Sequence, residues 1–322
     1  SHSQDSKARP GTSFRASVNF ASPSNNKYNS DNIQQALQNQ MSSSISYSKT
    51  WTGMSMSVNA SHSQNSRDSS YAITFPNITF TVNRFFPFKR KNGVGSEKFY
   101  EKISLSYNSS MQNKINFKVK ELKDMNIMDR LQNGMTHNFA IGLPSFTILN
   151  YIQAAPSISY GMNWYFREQT KRYDPETDQV ITEMTPQFSR FGISQTYSAG
   201  ISFSTRIYGL FNFGKDKKVQ AIRHMISPQL GINLKPELGT AMNGYRTYTY
   251  IDKNGKEKSV EYNKYAGNLT SPPGRGRNAG LTFSVGNNIE AKISNPKDST
   301  GKGFNKIKLI DQLNLSGSYN FL

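Results

Sequence analysis

The side chains best suited to acid–base or metal chemistry are few in this 322-residue chain and lie far apart. Its four histidines are His2, His62, His137 and His224. None of them stands at a metal-binding spacing, and acidic residues such as Asp174 and Asp178 fall mainly in segments predicted to be loops. The absence of cysteine excludes thiol catalysis and a Cys-ligated metal. We therefore expect no catalytic, cofactor-binding or metal site, and no enzyme activity.

Four basic residues are better candidates for a binding role. Each falls on the polar side of a segment in which apolar and polar residues alternate; they are Arg15, Lys118, Lys120 and Lys292. Cationic side chains on such a face could contact phosphate or carboxylate groups of a partner. The alternative is that they lie near the rim of the fold, where they improve solubility and orient the protein.

The elements that must position these residues show a period of two. Met54, Met56 and Val58 alternate with Ser55 and Ser57, and the same pattern recurs through most of the chain. Further examples are the segments 14–20, 78–82, 103–107, 115–119, 158–164, 197–207, 281–285 and 313–321. Strict alternation predicts β-strands with one apolar and one polar face. We count roughly a dozen or more such segments, at the ~10-residue length of membrane-barrel strands.

The polar face of these strands carries mainly Ser, Thr and Asn rather than carboxylates, which suits an enclosed, hydrated lumen. No apolar stretch reaches the roughly 20 residues that a membrane helix needs. The sequence thus predicts an all-β fold, an antiparallel transmembrane β-barrel of the outer membrane. Because both ends lie close to alternating segments, we expect residues 1–322 to be part of a single barrel domain that is truncated at both ends.

Connections between the predicted strands differ in length. Long polar segments are expected near 85–98, 121–134, 169–187 and 235–278, and short ones near 109–111, 143–150 and 212–222. Membrane barrels have long loops outside and short turns inside, so we assign the long set to the cell exterior. Asn254-Gly255, between strand-like runs, predicts a hairpin within the longest loop. Residues 22–40 could form a helical turn or a large inner loop.

The net charge is strongly positive, with 39 Lys and Arg against 21 Asp and Glu, which gives +18. A charge of this size favours an anionic neighbour such as anionic lipid, a phosphorylated glycan or nucleic acid. One reading is therefore a soluble basic β-protein that binds nucleic acid through lysines and aromatic residues. The repeated strands of membrane-spanning length make that reading the weaker one.

Several stretches resemble one known family. They include ITFPNITFTVNRFFPFKRK (73–91), YEKISLSYNSS (100–110), NGMTHNFAIGLPSFTILNYI (133–152), TRIYGLFNFG (205–214), IRHMISPQLGINLKPELG (222–239), SPPGRGRNAGLTFSVGNNIEAKI (271–293) and KLIDQLNLSGSYNF (308–321). Together, and in this order, they are similar to the LPS-assembly protein LptD family in its Bacteroidota-type branch. The similarity covers most of the chain.

That resemblance implies a large outer-membrane barrel that holds a plug lipoprotein, LptE. It implies that lipopolysaccharide arrives from periplasmic bridge proteins, which the family contacts through an N-terminal domain that we expect to be missing here. Lipopolysaccharide would then leave through a lateral opening into the outer-membrane lipid, and the four basic residues would meet its phosphates or the acidic groups of the plug. The resemblance implies no nucleic-acid partner. A porin-like or substrate-specific channel for small solutes remains an alternative.

Overall fold

The computed structural model describes residues 1–5, 7–19, 40–65, 68–121, 123, 126–214, 216–295 and 303–322. The strands are β1 (His2–Ser3), β2 (Thr12–Ser17), β3 (Gln40–Trp51), β4 (Met54–Asn65), β5 (Ser70–Phe85), β6 (Ser104–Lys118), β7 (Leu131–Gly142), β8 (Phe146–Ile148), β9 (Ile152–Tyr165), β10 (Gln169–Asp174), β11 (Gln179–Met184), β12 (Gly192–Ser204), β13 (Ile207–Asn212), β14 (Val219–Lys235), β15 (Tyr245–Ile251), β16 (Glu257–Asn263), β17 (Asn278–Ser294) and β18 (Phe304–Asn320). Among the described residues, helical structure is confined to short turns at Phe99–Lys102, Val119–Glu121, Ile127–Arg130 and Ala241–Asn243.

One large sheet organises the chain. Its order is β1-β2-β3-β4-β5-β6-β7-β9-β12-β14-β17-β18, with β8 paired to β9 and β13 paired to β14. The strand pairs are antiparallel, so the predicted all-β, antiparallel fold is confirmed. Two separate hairpins, β10–β11 and β15–β16, stand in the connections after β9 and β14. Within the described part of the chain the outermost strands β1 and β18 do not pair, so the sheet is open.

The cross-strand register places apolar residues on one face of the large sheet and polar residues on the other. Phe203, Leu230 and Phe283 are cross-strand neighbours on the apolar face. On the polar face, Ser202, Gly231 and Thr282 occupy the adjacent row. The apolar side chains remain exposed, with Leu230 at 39% and Phe283 at 47%. The sheet is therefore amphipathic across its width, and no second layer of the described chain covers its apolar face at these positions.

Two prolines interrupt the neighbouring strands. Leu143 N–H donates to Pro156 O at 3.2 Å where β7 gives way to β8, and Thr205 N–H donates to Pro228 O at 3.3 Å where β12 gives way to β13. Proline offers no N–H to the ladder, and β7 and β12 end beside Pro156 and Pro228. On the other side of each proline, pairing with β12 and β17 continues. Both prolines lie inside their strands, Pro156 in β9 and Pro228 in β14.

The connections correct part of the predicted loop pattern. Residues 109–111 lie inside β6, since cross-strand partners on β5 and β7 hold these turn-like residues extended. Residues 131–134 likewise belong to β7. Antiparallel strands reverse direction at each connection, so the connection 86–103 lies at the opposite end of the sheet from 119–130, 166–191 and 236–277. The assignment of 85–98 to the same side as the other long segments is therefore wrong.

The predicted hairpin at Asn254-Gly255 is confirmed by β15 and β16, and Gly255 has the left-handed φ of 75° that the turn requires. Of the predicted helical turn or loop at 22–40, all but Gln40 lies outside the described residues. No helix in the described part of the chain is long and apolar enough to span a membrane. We call the end that carries the two hairpins the hairpin end of the sheet.

The connection between β5 and β6 is anchored by one carboxylate. Glu101, only 2% exposed, accepts Lys98 N–H at 2.6 Å and Arg90 Nη2–H at 3.0 Å. The ion-paired Arg90 and these backbone donors lower the Glu101 pKa to about 2. Because the folded state favours the ionised carboxylate, this anchor is fully present above pH ~4.5 and is lost as pH falls towards ~2.

We expect Glu101→Gln to loosen residues 86–103 at neutral pH, since it removes the charge that holds Arg90 and weakens its hydrogen bonds. Trypsin should then cut faster after Arg90 and Lys91 than in the wild type. In the wild type, the protection of this segment's amides relative to an unstructured peptide should fall only below about pH 4.5. Equal cleavage rates in the two proteins would show that the carboxylate does not order this connection.

Candidate functional site

The clearest candidate site is a groove on the polar face of the sheet, of about 640 Å³. Small polar residues line it in two cross-strand rows. The first row is Thr81, Asn108, Asn138, Gly161 and Thr196. The second contains Ser106, Ala140, Ser159 and Ser198. From β5 to β14 the groove crosses five strand intervals, or about 24 Å at a spacing of ~4.8 Å. We call it the central polar groove.

Hydroxyl and amide groups supply uncharged hydrogen-bonding atoms to the floor of the central polar groove, whose lining also includes Tyr107, Phe139 and Tyr160. Asn108 Nδ2–H donates to Thr81 Oγ1 at 2.9 Å, which ties neighbouring strands together through their side chains. Gly161 keeps the middle of the groove floor free of side-chain atoms. A Cβ at this position would stand 2.6 Å from Thr196 Oγ1, which is closer than van der Waals contact allows. Such a surface offers many weak donors and acceptors, as a hydrated glycan requires.

Basic residues mark the two ends of the groove. Arg84 lies at the β5 end and Lys235 at the β14 end. Neither forms an ion pair with the described residues, so both are available to an anionic ligand. Sequence reasoning missed both. For Lys235 a signal exists: Leu230, Ile232 and Leu234 alternate with polar residues, which places Lys235 on the polar face. Arg84 has no such signal, because it lies at an irregularity of the strand pairing between Val82 and Phe85 that the sequence does not reveal.

The predicted basic residues do not form one site. Lys118 lines a second polar-face groove of about 1040 Å³, which Glu121 and Arg130 also line. Arg15 lies on β2, four strands from β6 in sheet order, and Lys292 lies on β17, where its Nζ stands 3.8 Å from the Phe304 ring centroid. In the cross-strand register, these three residues share the face of the Ser, Thr and Asn residues.

The structure corrects the predicted direction of Lys120. It belongs to the 3-10 turn Val119–Glu121, beyond the end of β6, so the alternation that predicted its direction stops at Lys118. Its side chain is exposed. Glu121 Oε2 accepts Lys118 N–H at 3.2 Å in this turn, which ends the strand.

The polar face carries more positive than negative charge. Among the described strands of the large sheet, the acidic residues are Glu290 and Asp311. Glu290 pairs with Arg223 at 2.8 Å, and Asp311 pairs with Lys308 at 2.7 Å. The remaining basic residues on the face therefore produce a net positive potential, which attracts phosphate and carboxylate groups.

A segment of the longest loop, residues 263–271, covers the polar face at the hairpin end. Tyr265 stacks on Tyr165 with ring centroids 4.3 Å apart and rings 8° from parallel. Asn163 Nδ2–H donates to Ser271 O at 3.3 Å, and Gly192 leaves the space that the Tyr265 ring fills. Asn163 lies in the row next to Gly161. The segment thus lies over the polar face beside the central polar groove, one row from Gly161.

The same loop segment also buries an arginine. Arg167 is 8% exposed and donates from Nη2 to Gly267 O at 3.2 Å, while its Nε–H has no partner among the described residues. Burial lowers the pKa of its guanidinium. No group of three His, Asp or Glu side chains in the described chain is arranged to hold a metal ion.

Comparison with known families decides the identity of the chain. The model of the family described as "LptD protein" matches residues 1–322. The chain belongs to the LptD family. Comparison with curated proteins gave no match. LptD proteins act in lipopolysaccharide transport and assembly at the outer membrane of Gram-negative bacteria, bind lipopolysaccharide and work with transport partners; they are not an enzyme family.

Gly161 gives a test of how tightly the groove of this LptD-family chain is built. We expect Gly161→Ala to lower the free energy of unfolding by about 1–3 kcal/mol, because the new methyl overpacks against Thr196. Thr196→Ala should restore part of that loss in the double variant, since it removes the clashing hydroxyl. Urea unfolding of the full-length protein measures both. Strictly additive losses would show that the two side chains do not meet.

Proposed function

We propose that this chain forms part of a single outer-membrane β-barrel domain that inserts lipopolysaccharide into the outer leaflet. Its polar face would line a hydrated lumen, and its apolar face would contact lipid. The observation that supports this most directly is the exposure of the apolar face. Leu234 is 53% exposed, Tyr197 47% and Tyr47 37%, although they lie on different strands of the same face.

Lipid explains that exposure better than water does. Contiguous apolar surface of this extent is rare on a water-soluble protein. Strands of 12 to 17 residues, such as β4, β14 and β17, also exceed the 9–11 residues that a tilted strand needs to cross the hydrocarbon core. In a membrane both outer edges must be paired, because unpaired backbone groups are costly in lipid.

The polar face suits the head of lipopolysaccharide. Its sugars present hydroxyl groups, which match the Ser, Thr and Asn side chains of the central polar groove, and its phosphates match Arg84 and Lys235. Arg15, Lys118 and Lys292 add positive charge elsewhere on the face. Acyl chains would leave through a lateral opening into the membrane, since a polar lumen does not solvate them.

We infer that the hairpin end faces the cell exterior. This end carries the long connections 166–191 and 236–277, as outer-membrane barrels do on their outer side. The segment 263–271 would then restrict the lumen from outside. Its closure argues against a freely open solute channel, as does membership of the LptD family.

Two kinds of protein partner complete the proposal. A plug lipoprotein of the LptE type would occupy the lumen, where its acidic groups would meet the basic polar face. Periplasmic bridge proteins would deliver lipopolysaccharide and supply the energy, since the sequence offers no nucleotide-binding motif.

Neighbouring residues on opposite faces test the lipid contact. We expect Leu230→Arg to destabilise the inserted protein by roughly 2–4 kcal/mol, because it places a charge in lipid, and Gln229→Arg to have little effect. Urea unfolding from lipid vesicles compares the two variants. Similar losses for both would contradict the assignment of faces.

The substrate is tested by photo-cross-linking in growing cells. A benzoylphenylalanine at position 138 should cross-link to lipopolysaccharide, whereas the same group at position 139, on the other face, should capture membrane lipid. Purification in mild detergent with mass spectrometry should also recover a plug lipoprotein. A barrel that conducts small solutes, with no lipopolysaccharide adduct at position 138, would instead establish the porin-like reading.

A further inference from the structure

The strand β13 has one unpaired edge. It pairs with β14 on one side, from Ile207 opposite Ile226 to Asn212 opposite Ala221. On the other side β9 has already ended. Gln153 pairs with Ser204, the last residue of β12, and Thr205 Oγ–H donates to Tyr151 O at 2.8 Å. Beyond this point no strand of the described chain lies beside β13.

The hydrogen-bonding pattern identifies the free groups. Phe213 N–H donates to Gln220 O at 2.8 Å, so the odd-numbered residues of β13 point their backbone groups towards β14. Alternation turns the N–H and C=O groups of Tyr208, Leu210 and Asn212 towards the open edge. An exposed row of this kind is a template for another strand.

Large apolar side chains of β13 lie on both faces of the sheet. Ile207 and Phe211 extend the apolar face of the sheet and are 54% and 61% exposed. Tyr208 and Leu210 lie on the polar-face side and are 58% and 61% exposed. Lipid accounts for the first pair only. An exposed apolar patch on a face built mainly from polar residues points to a partner that covers it.

Charge limits the chemistry of that partner. Arg206 precedes β13, and Lys217 and Lys218 follow it; all three are exposed, with Asp216 the one acid among the described residues of this stretch. An acyl chain could cover the apolar side chains but cannot satisfy N–H and C=O groups. An extended protein segment can do both, and carboxylates at its ends would complement the basic flanks.

We propose that β13 is a docking edge to which an extended segment of a partner protein adds as a further strand. The segment would carry apolar side chains at alternate positions and acidic residues at its ends. The edge lies at the end of the sheet opposite the hairpins. The proposal goes beyond lipopolysaccharide insertion and does not depend on it, because the edge is defined by backbone groups outside the central polar groove.

The test uses the full-length protein in detergent micelles and a synthetic peptide in which Val alternates with Thr between terminal glutamates. We expect saturable binding by fluorescence anisotropy, and slower hydrogen exchange at Tyr208 and Leu210 when the peptide binds. Leu210→Pro removes an edge donor but no bond to β14, so it should weaken binding roughly tenfold. Leu210→Val keeps the N–H and should stay within about threefold.

Two controls separate this docking from simpler explanations. A peptide N-methylated at alternate residues should not bind, while Lys217→Glu with Lys218→Glu should weaken binding of the unmodified peptide. Unchanged exchange at Gly209 and Phe211 in Leu210→Pro would show that β13 still pairs with β14. Equal binding to Leu210→Pro and Leu210→Val, or amides of Tyr208 and Leu210 already protected without peptide, would overturn the proposal.

Discussion

The large sheet leaves its apolar side chains uncovered, and most other features follow from that constraint. Each strand presents residues such as Leu230 and Phe283 to one side, where no second layer of the described chain packs on them. Burial of apolar surface is the main favourable term in folding, so this face requires an apolar environment. Water satisfies only the polar face. In the proposed barrel, this single layer of backbone would separate lipid from water.

The polar face has the opposite requirement: it must stay hydrated over many neighbouring strands. Small residues achieve this: Gly161, Ser159 and Thr196 keep the central polar groove open and supply hydrogen-bonding groups close to the backbone. Among the described strands of the large sheet, the carboxylates are those of Glu290 and Asp311, which leaves the field positive. A ligand that carries hydroxyl and phosphate groups fits both properties.

Loops and prolines change the structure of the sheet at its two ends. The segment 263–271 folds inward, where Tyr265 packs on Tyr165 and the small residue Gly192 makes room for the ring. At the other end, Pro156 and Pro228 end the pairing of their neighbours and allow the sheet to step. That step exposes the edge of β13. Closure at one end and an unpaired edge at the other make the two ends of the sheet chemically different.

Alternation in the sequence alone predicted many of the strands and their two faces, because a period of two is a local property of the extended chain. It also placed Arg15, Lys118 and Lys292 on the polar face. Only the tertiary structure decided which residues share a site, since cross-strand register depends on bulges and pairings between distant segments. Arg84 meets the central polar groove through such an irregularity, and Tyr265 reaches Tyr165 across 100 residues. Long-range contacts of this kind leave no periodic signal, so they could not be predicted from one sequence.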